Sequence, residues 1–452
     1  MIVDKKKRNQ ILGVLFLGVL MGALDIAIVG PALPAIRDGF AVDSRASAWI
    51  FTIFVLFNLM GSPLMAKLSD RFGRRYVYVL DIALFAIGSL LVAVSPSFWL
   101  LLVGRAIQGF GAGGIFPVAA AVIADTFPEE DRGKALGITG AVFGIAFLLG
   151  PILAGIILKF ATWNWLFLIN LPIAAYLIIQ AFRLLPTDKP DNARPFDIAG
   201  VISLSVLLAS LTLGLNAIDS SHLGASLSSL KVYPYLLFAV ILLPIFWQIE
   251  KRAADPVLRP GLLGSSQVKL ASVFSIGAGL IEAAMVFIPA LAIALFSVDK
   301  STASFMLLPM IIALAFGAPT AGRMLDKVGV KPVISTGILL LAIGLLLFGF
   351  TASNIAMFYV SGALVGLGLS SLLGAPLRYL MLAEAAKDER AASQGLLTIF
   401  TSSGQLIGGA LIGAIAASSI IPAEGYQKAI IVLGFISLAM LPLTLALKNK
   451  AN

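Results

Sequence analysis

Long apolar segments alternate with short polar ones along the entire chain. Fourteen segments have about the 20 predominantly apolar residues that a helix needs to cross the hydrocarbon core of a bilayer. They lie at residues 11–33, 48–66, 76–94, 98–124, 135–158, 165–184, 198–218, 233–250, 269–297, 303–322, 333–351, 355–384, 393–416 and 426–446. A polar stretch around His222 separates the seventh from the eighth. The pattern predicts an all-α membrane protein with fourteen spans.

The composition excludes an ordinary soluble protein. Of the 452 residues, 59% are apolar and only 12% are charged, whereas soluble domains carry about 25% charged residues. The first apolar segment follows a basic run ending at Arg8 without a small-residue cleavage site, so we expect it to remain as a helix. The lack of cysteine and the single histidine, His222, exclude disulfides and thiolate or histidine metal sites. We therefore expect no metal and no cofactor.

The positive charges are distributed unevenly between the two sets of loops. If the N-terminus is cytoplasmic, the inner segments contain 24 lysines and arginines and the outer loops contain 6. Arg105 and Arg378 lie inside apolar segments. By the positive-inside rule, both termini are expected in the cytoplasm, with the protein in the cell inner (plasma) membrane. The same bias accounts for the net charge of +9 without a nucleic-acid partner.

An internal repeat divides the chain. The run Lys67–Arg75 recurs as Arg323–Lys331 at an offset of 256 residues, and Arg105–Gly111 falls on Gly362–Gly368 at an offset of 257. The repeat predicts an N-terminal six-helix half at 1–184, a linker with two additional membrane helices at 185–268, and a C-terminal six-helix half at 269–452. Two halves around a central cavity are typical of secondary transporters.

The polar loop between the second and third helices carries the first motif. Gly73 permits a tight turn, Asp70 can face a helix N-terminus, and the neighbouring arginines can pair with acids at nearby helix ends. A plain basic loop is the alternative, but the second copy retains the acid and the glycine. The residues that we expect to act in gating here are Asp70, Arg71, Gly73, Arg74, Asp125, Asp326 and Gly329.

Two further motifs lie within helices. Arg105 begins a glycine-rich run on helix four, where a charge costs about 2.5–3.5 kcal/mol on insertion scales, so its side chain must face a cavity or a partner. Structural pairing alone is the alternative. Gly150 and Pro151 lie in helix five, where the proline removes a helical hydrogen bond. We expect both residues to contribute to gating, and a generic packed helix is the alternative.

These motifs, together with Leu24–Pro34 on helix one and Trp163–Pro172 at the start of helix six, resemble those of the major facilitator superfamily. Within it, the chain is most similar to the fourteen-spanner drug:proton antiporter family. The resemblance covers nearly the full length. It implies a major facilitator fold of two six-helix bundles plus two inserted linker helices, and a loop that latches one state. As a separate expectation, we take the protein to be a monomer.

Ionisable residues inside the helices are the candidates for chemistry. Asp25 and Glu282 occupy nearly equivalent positions in the two halves. We expect Asp25, Arg105 and Glu282 to couple transport to protons, and Asp25, Glu282 and Gln108 to line the substrate cavity. The alternatives are a permanent Asp25–Arg105 ion pair and a Glu282 that is only a solvated wall residue.

Two other charged positions are less closely tied to coupling. Asp81 lies nearer the inner end of helix three and is expected to snorkel or to pair. Arg378 is expected to snorkel or to bind an anionic head group.

The function that these features favour is proton-coupled antiport that exports amphipathic or hydrophobic compounds. The alternative within transporters is an exporter of lipids or an endogenous metabolite. A membrane-embedded enzyme would need a nucleophile or metal cluster inside the helices, and a receptor would not need the Gly150-Pro151 segment. The expected partners are protons, a small amphipathic or lipid-like substrate and membrane lipids, with no nucleic acid.

Overall fold

A computed structural model describes residues 5–187, 197–254, 256–258, 260–351, 353–385 and 390–448. Within these ranges the regular structure is entirely helical. Every predicted apolar segment coincides with a helical segment, so the expected all-α membrane fold is confirmed.

The fourteen helical segments are numbered here in chain order. Their bounds are α1 Lys5–Phe40, α2 Ser44–Phe72, α3 Arg74–Ala93, α4 Phe98–Thr126, α5 Glu129–Phe160, α6 Trp165–Leu184, α7 Ile198–Asn216, α8 Tyr233–Arg252, α9 Ser266–Phe296, α10 Lys300–Phe305 with Leu308–Val328, α11 Val330–Thr351, α12 Ile355–Leu373 with Ala375–Glu384, α13 Arg390–Ala417, and α14 Pro422–Met440 with the 3₁₀ turn Leu441–Ala446. Short turns Ser220–His222 and Leu223–Leu227 follow α7, and Leu262–Gly264 precedes α9.

Length and composition identify most of these helices as membrane-spanning. Among the described residues, 13 helices are long and apolar enough to cross a bilayer. The remaining one is α5, whose described apolar part runs over 144–160. A long apolar helix satisfies its own backbone hydrogen bonds, which is why helices suit the hydrocarbon region.

The same helix pairings occur in both parts of the chain. In the first part α4 packs against α2 and α3, and α1 packs against α5 and α6. In the second part α12 packs against α10 and α11, and α9 packs against α13 and α14. Close backbone contacts recur as well: Gly109 lies against Phe54, and Gly366 lies against Met310. These contacts preserve the offsets of 256 and 257 residues that were found in the sequence.

The two parts meet through a small set of helices. α1 contacts α9, α2 contacts α13, and α5 contacts α10. The inserted helix α7 packs against α8, α2 and α13, so it covers one of these junctions from outside. The boundaries at residues 184 and 268 stay a prediction.

Polar contacts fall at two opposite ends of the helices. We call the end that holds the loops with most of the basic residues the inner end. The contacts named there join elements within one half or, for Arg75, the residue that directly follows α6. The outer end holds the other loops, and several of its contacts join the two halves. The inner contacts are Arg8–Asp131, Arg75–Leu185 and Lys331–Leu445, and the outer ones are Asp38–Lys300, Ser44–Tyr426 and Gly155–Ser301.

Candidate functional site

A fully buried polar cluster lies within the first six helices. Arg105 of α4 donates from one terminal nitrogen to Asp25 Oδ2 of α1 at 2.5 Å. Gln108 donates to the other carboxylate oxygen, Oδ1, at 2.6 Å. It also donates to Ser89 Oγ of α3 at 2.8 Å, and Asn170 of α6 donates to the same hydroxyl at 3.3 Å. The residues from α1, α4 and α6 belong to the motifs found in the sequence, whereas Ser89 of α3 does not.

The guanidinium of Arg105 is enclosed by protein. Its Nε donates to the Ile50 carbonyl of α2 at 3.0 Å, and its central carbon lies 4.2 Å from the centre of the Phe54 ring. One terminal nitrogen has no hydrogen-bond partner among the described residues. Since an arginine cannot lose its proton in proteins, this nitrogen remains a buried donor without an acceptor among those residues.

A small central cavity of about 30 Å³ lies between the two halves. Its wall includes Glu282 of α9 and Gln405 of α13, and its remaining lining is apolar. On the α1 side the wall is formed by Ile26 and Ala27. The structure therefore places Glu282 on the cavity. Asp25 does not line it, although the next residue in the chain, Ile26, does.

Asp25 and Gln108 do not reach the cavity in this conformation. Both side chains have no exposed surface, in contrast to the partly exposed Glu282. The structure brings Asp25, Arg105 and Gln108 together in one cluster and leaves Glu282 outside it. Their expected roles in coupling and substrate binding stay predictions.

The outer end of the interface between the halves is closed. Lys300 pairs with Asp38 at 3.1 Å, and Ser301 donates to the Gly155 carbonyl of α5 at 2.6 Å. Inward of these contacts, α1 and α9 approach so closely that Gly30 lies against the backbone of Val286. These contacts join the halves on the side of the cavity that faces the outer loops.

The loop motif forms a network at the inner end. Arg74 donates to Asp125 of α4 at 2.9 Å, to Ser69 at 2.7 Å, and to Asp70. It thereby connects the ends of α2, α3 and α4. The expected pairing with Asp125 is made by Arg74, while Arg71 lies over the ring of the adjacent Phe72.

Both copies of the motif turn on a glycine with positive φ. Gly73 has φ 97° and Gly329 has φ 87°, a region that side chains with a Cβ rarely adopt. The side chain of Asp326 lies outside the described residues. The latch role expected for this loop stays a prediction.

The proline motif lies where α5 crosses α1. A Cβ on Gly150 would fall 2.5 Å from the Cβ of Ala27, so only a glycine allows this approach. Pro151 is inside the helix α5. In the second half, Gly408 of α13 lies against Leu280 and Ala283 of α9, without a proline.

Two features were missed or misjudged in the sequence. Gln405 lines the cavity beside Glu282. The regular spacing of polar residues along α13 could have indicated it, but this pattern was not considered. Asp81 was expected to snorkel or pair, and this is wrong for the described part of the chain. Its carboxylate is fully buried, and neither oxygen has a hydrogen-bond partner there.

Comparison with known proteins gives consistent matches. The Major Facilitator Superfamily matches residues 15–292 and 270–451. The chain is 34% identical over 404 residues to the uncharacterized MFS-type transporter YfiU of Bacillus subtilis, covering 88% of this chain and 78% of that protein. It is 29% identical over 418 residues to the multidrug transporter protein MdtP of the same organism, covering 91% and 76%. It is also 29% identical over 429 residues to a triacylglyceride transporter of Mycobacteroides abscessus, covering 90% and 82%.

The fold is shared with a solved transporter. A bacterial homolog of the human lysosomal transporter Spinster, in an inward-facing and occupied conformation, matches with a TM-score of 0.69 and 16% identity, over 100% of this chain and 99% of that one. With the extent of the family match, these findings establish a multi-pass membrane transporter. The chain belongs to the major facilitator superfamily.

Proposed function

We propose that the chain is a proton-coupled antiporter of the fourteen-spanner drug:proton group, which exports amphipathic or hydrophobic compounds by alternating access. The observation that carries the proposal is the buried Asp25–Arg105 pair directly behind the cavity wall. Ionisable groups inside a membrane bundle are costly and commonly serve ion or proton movement. A proton-carrying role would explain why a carboxylate is kept there.

The cavity supports substrates with apolar surface. Its lining is mainly apolar, with Glu282 and Gln405 as the polar members. Such a surface binds apolar bodies through burial and orients them through a few polar groups. Relatives include proteins named multidrug transporters, and this agrees with a broad range of apolar compounds.

Coupling would proceed through two states. With the outer end open, a proton reaches Asp25 and neutralises it. Arg105 loses its ionic partner and keeps its hydrogen bonds to the Ile50 carbonyl and to the Gln108 side-chain oxygen, to which it donates at 2.6 Å. The attraction between α1 and α4 therefore weakens. That change biases the equilibrium between the two arrangements of the halves. Release of the proton toward the cytoplasm restores the pair and resets the cycle.

The proton gradient supplies enough energy for such export. Proton entry provides about 2.3 kcal/mol per 100 mV of potential, and each unit of pH difference adds about 1.4 kcal/mol. One proton per cycle could sustain a substrate gradient of tens-fold or more. We propose a monomer with both termini in the cytoplasm, in the cell inner (plasma) membrane.

A lipid is the second candidate substrate. The similarity to a triacylglyceride transporter over 90% of this chain favours it. A cavity with mainly apolar walls suits acyl chains as well as drugs. An exporter of lipids or of an endogenous metabolite would use the same buried pair for coupling.

The test is accumulation in proteoliposomes with an imposed pH gradient. With an acidic lumen, protein inserted with its inner end outward should accumulate a fluorescent amphipathic compound inside, because outward proton flow drives substrate inward. A proton ionophore should abolish accumulation. Accumulation that persists with the ionophore, or that requires no pH gradient, would contradict proton antiport. Parallel assays with cationic, anionic and lipid compounds would separate the two candidate substrate classes.

A further inference from the structure

Arg378 is an exposed arginine within the inner part of α12. It lies in the helix Ala375–Glu384, which follows the interruption at Gly374. Leu377, Leu380 and Met381 are buried on one face of this helix, whereas Arg378 is exposed. The structure gives its guanidinium no carboxylate partner among the described residues. A cation of this kind has its donors free for an external anion.

The neighbouring helix α13 has a polar face that begins beside Arg378. Gln394 donates from its side-chain nitrogen to the Arg378 carbonyl at 3.2 Å, so the inner end of α13 lies directly beside it. Gln394 belongs to a polar series in which every member is at least partly exposed. The series, spaced by four, three and four residues, is Gln394, Thr398, Thr401 and Gln405.

That spacing places the four side chains on one face of α13. The last of them, Gln405, lines the central cavity beside Glu282. The face that begins next to Arg378 therefore runs to the cavity. Eleven residues at about 1.5 Å rise correspond to roughly 16 Å along the helix. Arg378 therefore lies beside the inner end of this polar face, and Glu282 lies beside its other end.

We propose that Arg378 binds the anionic head group of an amphipathic substrate at the inner end of this polar face. The inference rests on the proposed export function, and it adds a class of substrate to it. A guanidinium binds carboxylate or phosphate groups through two parallel hydrogen bonds. The apolar body of the molecule lies toward the cavity. Glu282 disfavours an anion in the cavity, so the anionic head stays beside Arg378.

The same chemistry could be supplied by a soluble amphiphile or by an anionic phospholipid of the inner leaflet. Either presents a head group that accepts hydrogen bonds and an apolar tail of at least the length of this polar face. The experiment therefore needs a probe that is measured with and without anionic lipid. It also needs a probe of opposite charge, because an effect on both charges would indicate a general disturbance of the cavity.

The closing experiment is a binding titration on purified protein in a neutral detergent. The probes are a dansyl-labelled alkyl carboxylic acid and a dansyl-labelled alkyl amine of the same chain length. Arg378→Gln should raise the Kd of the acid by about tenfold or more and leave that of the amine within about twofold, consistent with loss of a charge-assisted hydrogen bond. Arg378→Lys, which keeps the charge, should retain most of the affinity. Arg252→Gln at the exposed inner end of α8 is the control and should bind both probes as the wild type does.

Repeating the titration in vesicles separates the two sources. If anionic phospholipid competes with the acid probe in the wild type and not in Arg378→Gln, the site takes lipid head groups. If it does not compete while the Arg378 dependence persists, the site takes soluble amphiphiles. Equal acid affinity in the wild type and Arg378→Gln would overturn the inference, even if pH-driven accumulation is normal. Arg378-dependent binding without any pH-driven accumulation would instead refute the proposed antiport and leave the anion site standing.

Discussion

Gly30 of α1 lies against Val286 of α9, with the ideal Cβ position of Gly30 only 3.0 Å from the Val286 Cα. The two residues are 256 positions apart, which is the offset that relates the two loop motifs. Equivalent positions of the two repeats therefore touch, as expected if an approximate twofold axis passes between α1 and α9. The contact lies on the wall of the central cavity. A larger side chain at this point would act directly on the distance between the halves.

Gly30→Val should shift the protein toward the state that is open at its outer end. The added methyl groups have no space against the Val286 backbone, so the halves must separate there. Spin labels at Thr162 and Ser353, in outer loops of different halves, should report a longer distance. The chain lacks cysteine, so both labels can be introduced without further changes. Gly13→Val is the matched control because nothing lies within 4 Å of its Cβ position. An unchanged distance distribution in Gly30→Val would show that this contact does not hold the closed state.

Asp25→Asn should abolish uphill export and preserve some downhill substrate exchange. The amide mimics the protonated carboxyl, and exchange needs no net proton movement. Measurements in proteoliposomes with and without a pH gradient would distinguish the two activities. Asp219→Asn, in the exposed turn after α7, is the control for loss of a carboxylate. If Asp25→Asn accumulates substrate normally, Asp25 is not the proton carrier and Glu282 becomes the next candidate.

Gly73→Val should reduce transport strongly while substrate affinity stays within a few-fold. A residue with a Cβ at φ 97° is strained by about 1–2 kcal/mol, and Arg74 would be displaced from Asp125. The readouts are transport rate and probe Kd on the same preparation. Gly322→Val tests a glycine of α10 whose Cβ position is open. A collapse of affinity with normal cycling of the remaining transport would contradict a role in switching.

Glu282→Gln should weaken export of cationic compounds and spare neutral ones. A carboxylate attracts a cation much more strongly inside a low-dielectric cavity than in water, and Glu282 lines that cavity. Rates for a matched cationic and neutral pair of compounds provide the measurement. Equal loss for both compounds would assign Glu282 to coupling or folding instead. Equal retention would show that it takes no part in either.

The helices of this fold were predictable, but the faces of those helices were not. An apolar run of sufficient length fixes that a segment spans the membrane. It does not fix rotation about the helix axis, because helices such as α1 are apolar on nearly every side. The sequence could therefore place Asp25 near the middle of the membrane. It could not show that Ile26 and Ala27 would face the cavity while Asp25 would not. On α13 a rotational signal existed, since its polar residues recur on one face.

The loop motif was more predictable than the buried acids. Gly73 and Gly329 mark turns whose backbone requirement is local, so the sequence pattern alone indicates them. The environment of the Asp81 side chain depends on which residues of α4 pack against it, and no local sequence pattern gives that information. The structure places its carboxylate against Gly114, with the two oxygens 2.2 and 2.3 Å from the point where a Cβ on residue 114 would be. Neither oxygen has a hydrogen-bond partner among the described residues.

This packing predicts a specific coupling between Asp81 and Gly114. Gly114→Ala alone should lower the thermal stability of the purified protein, because overpacking a filled interface costs about 1–3 kcal/mol. Asp81→Ala alone should be neutral or stabilising, because it removes a buried polar group without a partner. The double variant should be more stable than Gly114→Ala alone, because truncation of Asp81 makes space for the new methyl group. Unfolding midpoints of the wild type, both single variants and the double variant complete a double-mutant cycle. Additive effects would show that the two residues do not share this space, and a large loss in Asp81→Ala would mean that its carboxyl has a partner in the folded protein.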